Sequence, residues 1–498
     1  MSSTFGGTTS RRQALTRVTV GVATALAATT LVVAPASANT TSGSAAGVAQ
    51  TDGSMFRVVD QIGARALWQQ GITGRGVNVA IIDTGVADVD ALSGADKVVA
   101  MVDLSGESSY LDTYGHGTHM AGIIAGRDPG ANPATAATRP DWFLGVAPDA
   151  GIVSVKVAGQ SGAVDVSQVI AGIDWVIENA ASLNIRVLNL SYSSGSTLGY
   201  RTDPLSFAVE RAWKAGIVVV VAAGNDGRNE FKLGMPAQNP YVIAVAGAEL
   251  KNKKWKVPTW ATSGDGTRNP DLAAPGTSIV SLRAPGSTVD VNHPSGYVST
   301  HLFKGTGSSQ AAAVVSGAAA LVLSARPGLR ADQVKALLTG AADPRAITPR
   351  DVRKSGNGLL RVGLAHAGGA TNSTQTWPAA DGTGSLDAAR GGQHIVIGDR
   401  EIRGEITVLG TPWEGARWLG ARWLEGSWDG ARWLDGSWMG ARWLGSSWTG
   451  ARWLGDNWTG ARWLGARWLG ARWLSDTWTG ARWLDGNWSG ARWLGTWD

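Results

Sequence analysis

The chain of 498 residues contains no cysteine. Thiol catalysis, disulfide bonds and cysteine-ligated zinc are therefore excluded from its chemistry. Charged residues make up only 17% of the chain, whereas hydrophobic residues make up 44%. This balance predicts a well-buried globular core and argues against a disordered chain. The formal net charge of +5 is too small to indicate nucleic acid as a partner.

The N-terminus carries the pattern of an export signal. Arg11 and Arg12 precede an apolar run, 18–33, which ends in an Ala-Ser-Ala tripeptide at 36–38. This pattern predicts a signal peptide over 1–38 and a secreted protein, extracellular or associated with the cell envelope. The apolar run is short for a membrane span, so no retained span is expected. The paired arginines favour twin-arginine export, with the ordinary secretory pathway as the alternative.

Residues 55–367 alternate short β-branched apolar runs with Ala-rich segments of helical length. The alternation predicts an α/β fold of the βαβ type, with a mainly parallel sheet and helices on both faces. A short segment, 39–54, precedes this region, and a Gly/Thr/Ser-rich linker with a small strand-rich piece, 368–411, follows it. Strands are predicted at 77–82, 152–157, 187–190, 217–222 and 241–245, and helices at 167–181, 204–215 and 309–326.

Residues 412–498 form a repeat with a tryptophan at every fifth position from Trp413 to Trp493. On an α-helix this spacing advances each indole by about 140° and scatters the indoles around the axis, which disfavours a helix. Two short-strand β arrangements would align the indoles in ladders. One is a meander of three-residue strands and two-residue turns, and the other is a β-solenoid with five residues per side. The sequence leaves both open.

Three short motifs occur in the order Asp, His, Ser, each at a predicted strand end or helix start. Asp83 follows a buried strand, and His116 lies between two glycines. Ser309 follows a Gly-rich turn at a helix N-terminus, where backbone N–H groups and the helix dipole favour developing negative charge. Any one of these residues alone would most often be a structural cap. The ordered set is far more specific.

With these motifs, the segment 61–367 resembles the subtilisin-like serine peptidases, in the secreted actinobacterial form with a Trp-rich C-terminal repeat. The resemblance implies that Asp83 orients the general base His116, that Ser309 is the nucleophile, and that Asn225 donates to the oxyanion hole. It implies hydrolysis of peptide bonds in proteins or peptides through an acyl-enzyme. The alternative is an envelope-associated binding protein with an inactive protease fold, which the intact motifs disfavour.

The resemblance also implies a substrate-binding edge. Ser191, Tyr192 and Ser193 stand where the family usually has Ser-Leu-Gly, a segment that pairs with an extended peptide. A side chain at Ser193 is expected to narrow the rim of the first specificity pocket. Gly234 is expected to keep the floor of that pocket open.

No metal site and no cofactor are predicted. His119 follows His116 by three residues, but the pair lacks the four-residue spacing and the intervening Glu of a zinc helix, so His119 is interpreted as structural. Calcium often stabilises the family that the chain resembles. No calcium ligand set can be matched in this sequence.

The Trp repeat contains no plausible nucleophile, base or metal site, so its role is expected to be structural or adhesive. Indole ladders with arginine beside them would stabilise a self-contained β structure. Exposed indole faces could instead bind cell-envelope polysaccharide. Single-stranded nucleic acid is not expected, because acidic residues balance the arginines.

Overall fold

The computed structural model describes residues 51–413, apart from 95, 228, 370–371 and 398–399, and seven short strands between 428 and 469. The predicted signal peptide at 1–38, most of the segment 39–54 and most of the Trp repeat lie outside the described residues.

The centre of the peptidase region is an eight-stranded sheet. Its strands are β1 (Asn78–Asp83), β2 (Val98–Asp103), β3 (Gly151–Lys156), β4 (Ile185–Leu190), β5 (Val218–Ala222), β6 (Ile243–Lys251), β7 (Lys254–Lys256) and β8 (Leu272–Pro275). Their order is β2-β3-β1-β4-β5-β6-β7, with β8 also paired to β6. The pair β6–β7 is antiparallel and the other pairs of this sheet are parallel. The predicted mainly parallel sheet is confirmed.

The strand order reverses direction at β1, which lies between β3 and β4. Loops that leave the carboxyl ends of strands on either side of such a reversal diverge and open a crevice, where α/β proteins bind their ligands. Asp83 is the last residue of β1, and three of the predicted substrate-binding residues, Ser191, Tyr192 and Ser193, follow β4 directly. The fold therefore brings both to one edge of the sheet.

Eleven α-helices and a two-stranded antiparallel hairpin accompany this sheet within the described residues. The hairpin consists of β9 (Ile279–Leu282) and β10 (Leu302–Gly305). The helices are α1 (Met55–Gln61), α2 (Ala64–Trp68), α3 (His116–Ala125), α4 (Val166–Asn179), α5 (Pro204–Lys214), α6 (Thr288–Asn292), α7 (Ser308–Ala325), α8 (Ala331–Gly340), α9 (Val352–Ser355), α10 (Val362–Ala367) and α11 (Leu386–Arg390). Short 3₁₀ helices span Asp90–Leu92, Pro133–Thr138 and Pro294–Gly296.

Helix α7 runs through the middle of the core. Alanine, valine and leucine make up most of it, and its residues from Ser308 to Leu323 are all buried. Small residues dominate this helix and allow it to pack closely against β4, β5, β6 and α3. Among the described residues it alone is long and apolar enough to cross a membrane, but a core helix has the same composition.

The predicted strands and helices are all present, and their first residues shift by no more than two positions. The Gly-, Ala-, Pro- and Thr-rich composition of 128–139 predicts an exposed insertion, but the segment is only partly exposed. Ala131 is buried, and Pro133 and Ala136 are buried because a 3₁₀ helix turns one residue in three toward the core.

Residues after α10 do not leave the peptidase region as a free linker. We call residues 372–397 and 400–413 the C-terminal strap. Leu386 and Ala389 in α11 are fully buried, and Trp413 is buried in the main core cluster. Arg390, only 1% exposed, donates from Nε to Asp165 Oδ2 at 2.6 Å in front of α4. The strand-rich piece consists of β11 (Val396–Ile397) and β12 (Arg400–Glu401).

The described strands of the Trp repeat pair in parallel. They are β13 (Trp428–Asp429), β14 (Trp438–Met439), β15 (Arg442–Trp443), β16 (Ser447–Thr449), β17 (Trp458–Thr459), β18 (Arg462–Trp463) and β19 (Arg467–Leu469). Trp428 pairs with Trp448, which pairs with Trp468, and Trp438 pairs with Trp458. Each partner therefore lies 20 residues further along the chain.

Candidate active site

Asp83 and His116 form a direct pair at the carboxyl end of β1. The Nδ1 atom of His116 lies 2.8 Å from Oδ1 and 2.9 Å from Oδ2 of Asp83. The carboxylate also accepts from the backbone N–H of Thr84 at 2.8 Å. Because Nδ1 is held by the acid, the second ring nitrogen, Nε2, is left as the proton acceptor of the neutral imidazole.

The pair is also electrostatically coupled. Burial disfavours the imidazolium form of His116, but the carboxylates of Asp83, which is hydrogen-bonded to the ring, and Asp112 together outweigh burial and raise the pKa of His116 above its ordinary value. Asp83 is only 8% exposed, whereas the side chain of His116 is 27% exposed. The acid is thus shielded from water while the base remains accessible from the cleft.

Helix α3 can start beside the end of β1 because Gly117 has no side chain. A Cβ atom at Gly117 would lie 2.1 Å from the carbonyl oxygen of Gly85, so a larger residue would push the helix away. The glycine after His116 thus permits the short contact between base and acid.

A second buried carboxylate, Asp112, ties these two elements together. Its Oδ1 accepts from the Thr84 hydroxyl at 2.8 Å and from the Gly115 N–H at 2.6 Å. Its Oδ2 accepts from the N–H and the hydroxyl of Thr118 at 2.8 and 2.6 Å. Burial raises the pKa of Asp112, although these hydrogen bonds oppose the shift. No sequence motif indicates this role for Asp112, and its one sequence signal is its position four residues before His116.

Ser309 is the second residue of α7 and lies 9% exposed at its N-terminal end. In the described chain its hydroxyl makes no hydrogen bond to His116, and such contacts are often long before substrate binds. Helices α3 and α7 nevertheless pack against each other, and the side chains of His119 and Gln310 both approach Gly305. A Cβ placed on Gly305 would lie 3.3 Å from the His119 ring and 2.6 Å from the Gln310 amide nitrogen.

Asn225 follows β5 and is bound to the residue before Ser309. Its Oδ1 accepts from the backbone N–H of Ser308 at 2.8 Å and from the Ser308 hydroxyl at 2.9 Å. Since the oxygen is engaged by Ser308, the amide nitrogen Nδ2 is free to donate to another group, and Asn225 is exposed. The sequence motif identifies Asn225, but no sequence pattern indicates that Ser308 orients the Asn225 side chain.

Of the predicted substrate-binding residues, Ser191, Tyr192 and Ser193 lie in the segment after β4, and Gly234 lies after β5. The hydroxyl of Ser191 contacts the carbonyl oxygen of Ser309 at 3.4 Å, so this segment runs alongside the nucleophile's helix. Tyr192 is partly buried against the core, and burial raises its pKa. Ser193 touches Gly234, and the next residue, Ser194, forms an antiparallel bridge with Met235.

His119 is 5% exposed, and its Nε2 lies 3.2 Å from the carbonyl oxygen of Phe303. Burial, with the charge of His116, lowers the pKa of His119 to about 4. In the described part of the chain no three His, Asp or Glu side chains are grouped to hold a metal ion.

Comparison with known families and proteins identifies the group to which this chain belongs. The model of the subtilase family matches residues 74–374, which is more than half of the chain. This chain belongs to the subtilase family. Subtilases are serine-type endopeptidases, and the matched region contains Asp83, His116, Asn225 and Ser309.

Two curated relatives show the extent of the similarity. The serine protease AprX of Bacillus subtilis is 34% identical over 288 residues, 55% of this subtilase and 63% of AprX. Subtilisin DY of Bacillus licheniformis is 36% identical over 302 residues, 59% of this chain and 93% of that protein. A crystal structure of a cold adapted subtilisin-like serine proteinase is 28% identical with a TM-score of 0.45, covering 58% of this chain and 90% of that one.

Proposed function

We propose that this subtilase hydrolyses peptide bonds in proteins through an acyl-enzyme on Ser309. The observation that carries the proposal is the 2.8 Å contact between His116 Nδ1 and Asp83, which sets the imidazole tautomer with Nε2 as the basic atom. As the Ser309 oxygen attacks the carbonyl carbon of the substrate, Nε2 of His116 takes the hydroxyl proton. Asp83 stabilises the imidazolium that forms.

The negative charge that develops on the substrate oxygen needs donors that are already in place. The N-terminal end of α7 supplies the backbone N–H of Ser309 and the positive end of the helix dipole. Asn225 supplies its Nδ2, because its Oδ1 is held by Ser308. When the tetrahedral intermediate collapses, His116 returns its proton to the leaving amine. Water then releases the acyl group by the same steps.

The decisive test is Ser309→Ala in the full chain. We expect loss of casein hydrolysis and of labelling by a fluorophosphonate, because the nucleophilic oxygen is gone. The matched control is Ser295→Ala at an exposed serine, which should keep both. Labelling that persists in Ser309→Ala would contradict the assignment. A wild-type protein that takes no label would favour the alternative, an inactive protease fold.

We also propose that the enzyme is exported, on the basis of the basic, apolar and small-residue pattern in 1–38. One relative, the minor extracellular protease Epr of Bacillus subtilis, is named for that location. N-terminal sequencing of protein from the culture medium should begin at Asn39. Protein confined to cells with Met1 intact would contradict export. An actinobacterial origin stays a prediction.

The Trp repeat is proposed to form a β-solenoid with four five-residue sides per coil. The parallel pairing of residues 20 positions apart supports this arrangement over the meander, in which neighbouring strands would pair antiparallel. Stacked coils would align tryptophans in ladders, and we propose that the exposed indoles of a ladder bind cell-envelope polysaccharide.

Adhesion is tested with the inactive Ser309→Ala chain, which avoids self-digestion. Retention on purified cell walls should fall at least tenfold when Trp428, Trp448 and Trp468 are replaced by alanine. Replacing Trp142 and Trp377 outside the repeat serves as the control. Equal retention of all proteins would contradict the adhesive role and leave a structural one.

A further inference from the structure

Lys156 is a charged side chain buried beside the acid of the proposed triad. It is the last residue of β3 and pairs in register with Asp83, the last residue of β1. Its side chain is fully buried. A lysine is rarely buried unless its three N–H groups have acceptors. The groups that Lys156 contacts therefore show which parts of the chain it holds together.

The ammonium group of this lysine joins two separate segments of the chain. Nζ donates to the carbonyl oxygen of Thr84 at 3.0 Å and to that of Leu111 at 2.8 Å. It also lies 3.2 Å from the Thr113 hydroxyl and 3.1 Å from Glu107 Oε2. Thr84 directly follows the acid, whereas the other three residues belong to the loop that leads into His116. One buried cation thus fastens the loop of the base to the turn of the acid.

The contacts of Lys156 complement those of Asp112 around Thr84. The N–H of Thr84 donates to Asp83 at 2.8 Å, and its hydroxyl donates to Asp112 at 2.8 Å. Its carbonyl oxygen accepts from Lys156, so all three polar groups of this residue are held. Loss of the ammonium group would release the carbonyl and let the turn after the acid relax.

We propose that Lys156 is a positioning residue for the Asp83–His116 pair. This inference rests on the proposed function, in which that pair takes the proton of the nucleophile. Lys156 acts through the carbonyls of Thr84 and Leu111 and takes no part in the proton transfers. A displacement of about 1 Å in an active site can lower the rate about 10²-fold, so small relaxations of these segments matter.

The test replaces Lys156 by methionine, which keeps most of the side-chain volume and removes the ammonium group. We expect kcat for a chromogenic peptide to fall about 10–100-fold, with KM within about threefold. The second-order rate constant for fluorophosphonate labelling should fall by the same factor as kcat, because labelling needs the activated serine but no bound peptide. Kinetics are corrected by active-site titration, and unfolding in urea is measured in the Ser309→Ala background.

The matched control is Lys335→Met, at a second buried lysine. The Lys335 ammonium group donates to the carbonyl oxygens of Tyr241 and Val242 at 3.3 and 2.9 Å, and it lies 3.2 Å from Asp271. These carbonyls precede β6, at the amino end of the sheet, whereas the acid–base pair lies at the carboxyl end. Both substitutions should lower the free energy of unfolding, but only that of Lys156 should lower kcat and the labelling rate.

A second variant covers the case in which Lys156→Met does not fold. Glu107→Gln weakens the hold on the ammonium group at a side chain that is 27% exposed. It should lower kcat at least about threefold, with KM unchanged. Asp141→Asn, at an exposed carboxylate, is its control and should keep the wild-type kcat.

The possible outcomes separate this inference from the proposed function. Wild-type kcat in Lys156→Met, or in Glu107→Gln where the first variant does not fold, overturns the positioning role alone. An equal fall of kcat in Lys335→Met also overturns it, because the effect would then be one of stability. A wild-type protein that takes no fluorophosphonate label overturns the proposed function and this inference together.

Discussion

Replacing Asp112 by asparagine tests how the acid–base pair is held in place. The carboxylate accepts hydrogen bonds from Thr84 and Gly115 on one oxygen and from Thr118, twice, on the other. Asparagine keeps one acceptor oxygen and replaces the other with an NH₂ group. In either orientation the new amide therefore faces at least two donors that need an acceptor.

The cost follows from these contacts. A hydrogen bond to a charged group is worth about 1.5–3 kcal/mol, so the loss of two lowers the free energy of unfolding by about 3–6 kcal/mol. Thr84 directly follows Asp83, and Gly115 directly precedes His116. Relaxation around residue 112 therefore moves both members of the pair, and a displacement of about 1 Å can cost about 10²-fold in rate.

Removal of the Asp112 charge also has an electrostatic effect. The carboxylates of Asp83 and Asp112 both raise the pKa of His116. Without the second carboxylate the pKa of His116 should fall. Because the neutral imidazole is the active base, the acid limb of the kcat/KM profile should move to lower pH. A merely structural role would leave this limb unmoved.

The assay measures kcat and KM for a chromogenic peptide across pH, corrected by active-site titration. Unfolding in urea is measured in the Ser309→Ala background. We expect kcat to fall about 10–100-fold with KM within about threefold. Asp141→Asn, at an exposed carboxylate paired with Arg139, is the control and should behave as wild type. Wild-type kcat, stability and pH profile in Asp112→Asn would refute the reasoning.

Three further predictions concern the base, the oxyanion donor and the strap. Because the pKa of His116 in the folded protein is raised, kcat/KM should rise with pH through a midpoint above the ordinary histidine value of about 6.5. The protonated form of His116 also contributes to the free energy of unfolding. That contribution is complete below about pH 6.5 and is lost as the pH rises through the pKa of the folded protein. Asn225→Ala should lower kcat about 10²–10³-fold, the range known for the side-chain oxyanion donor of subtilisin. Ser308→Ala should lower kcat less than about tenfold, because the backbone N–H of residue 308 still binds Asn225 Oδ1. Arg390→Met should lower the free energy of unfolding by about 3–5 kcal/mol, because it leaves Asp165 buried without its partner.

A pH midpoint at or below the ordinary histidine value of about 6.5 would mean that the neighbouring carboxylates do not outweigh the burial of the imidazole. Equal kcat in Asn225→Ala and wild type would remove the side-chain donor from the mechanism. For the strap, Arg139→Met at an exposed ion pair is the control and should give no measurable change in urea denaturation. An equally small effect in Arg390→Met would show that the strap does not depend on the buried pair.

Much of the peptidase fold could be predicted because its signals are local. Residues 79–82 of β1 are all apolar and buried, and α7 is rich in alanine, valine and leucine over most of its length. Asp83, His116 and Ser309 could be named because each lies in a short motif at an element boundary. Asp112 and Ser308 could not. Their importance depends on which groups the folded chain brings within hydrogen-bonding distance.

The C-terminal strap is a whole segment whose position in the fold could not be predicted from local sequence signals. Its Gly/Thr/Ser-rich composition predicts a linker, since composition reports only the cost of ordering a segment. The compensating contacts come from distant positions, such as the pairing of Arg390 with Asp165 across 225 residues of sequence. Such a contact has no local signature.

Neighbouring residues specify the alternation of strands and helices, the residue types of the acid, base and nucleophile, and the five-residue repeat of the tail. The 2.8 Å contact of His116 with Asp83, the hydrogen bonds of Asp112 and the contact of Ser193 with Gly234 depend instead on the folded arrangement. These features arise where segments far apart in the chain converge at one edge of the sheet. Their geometry depends on how closely the backbones pack there, which no single segment specifies.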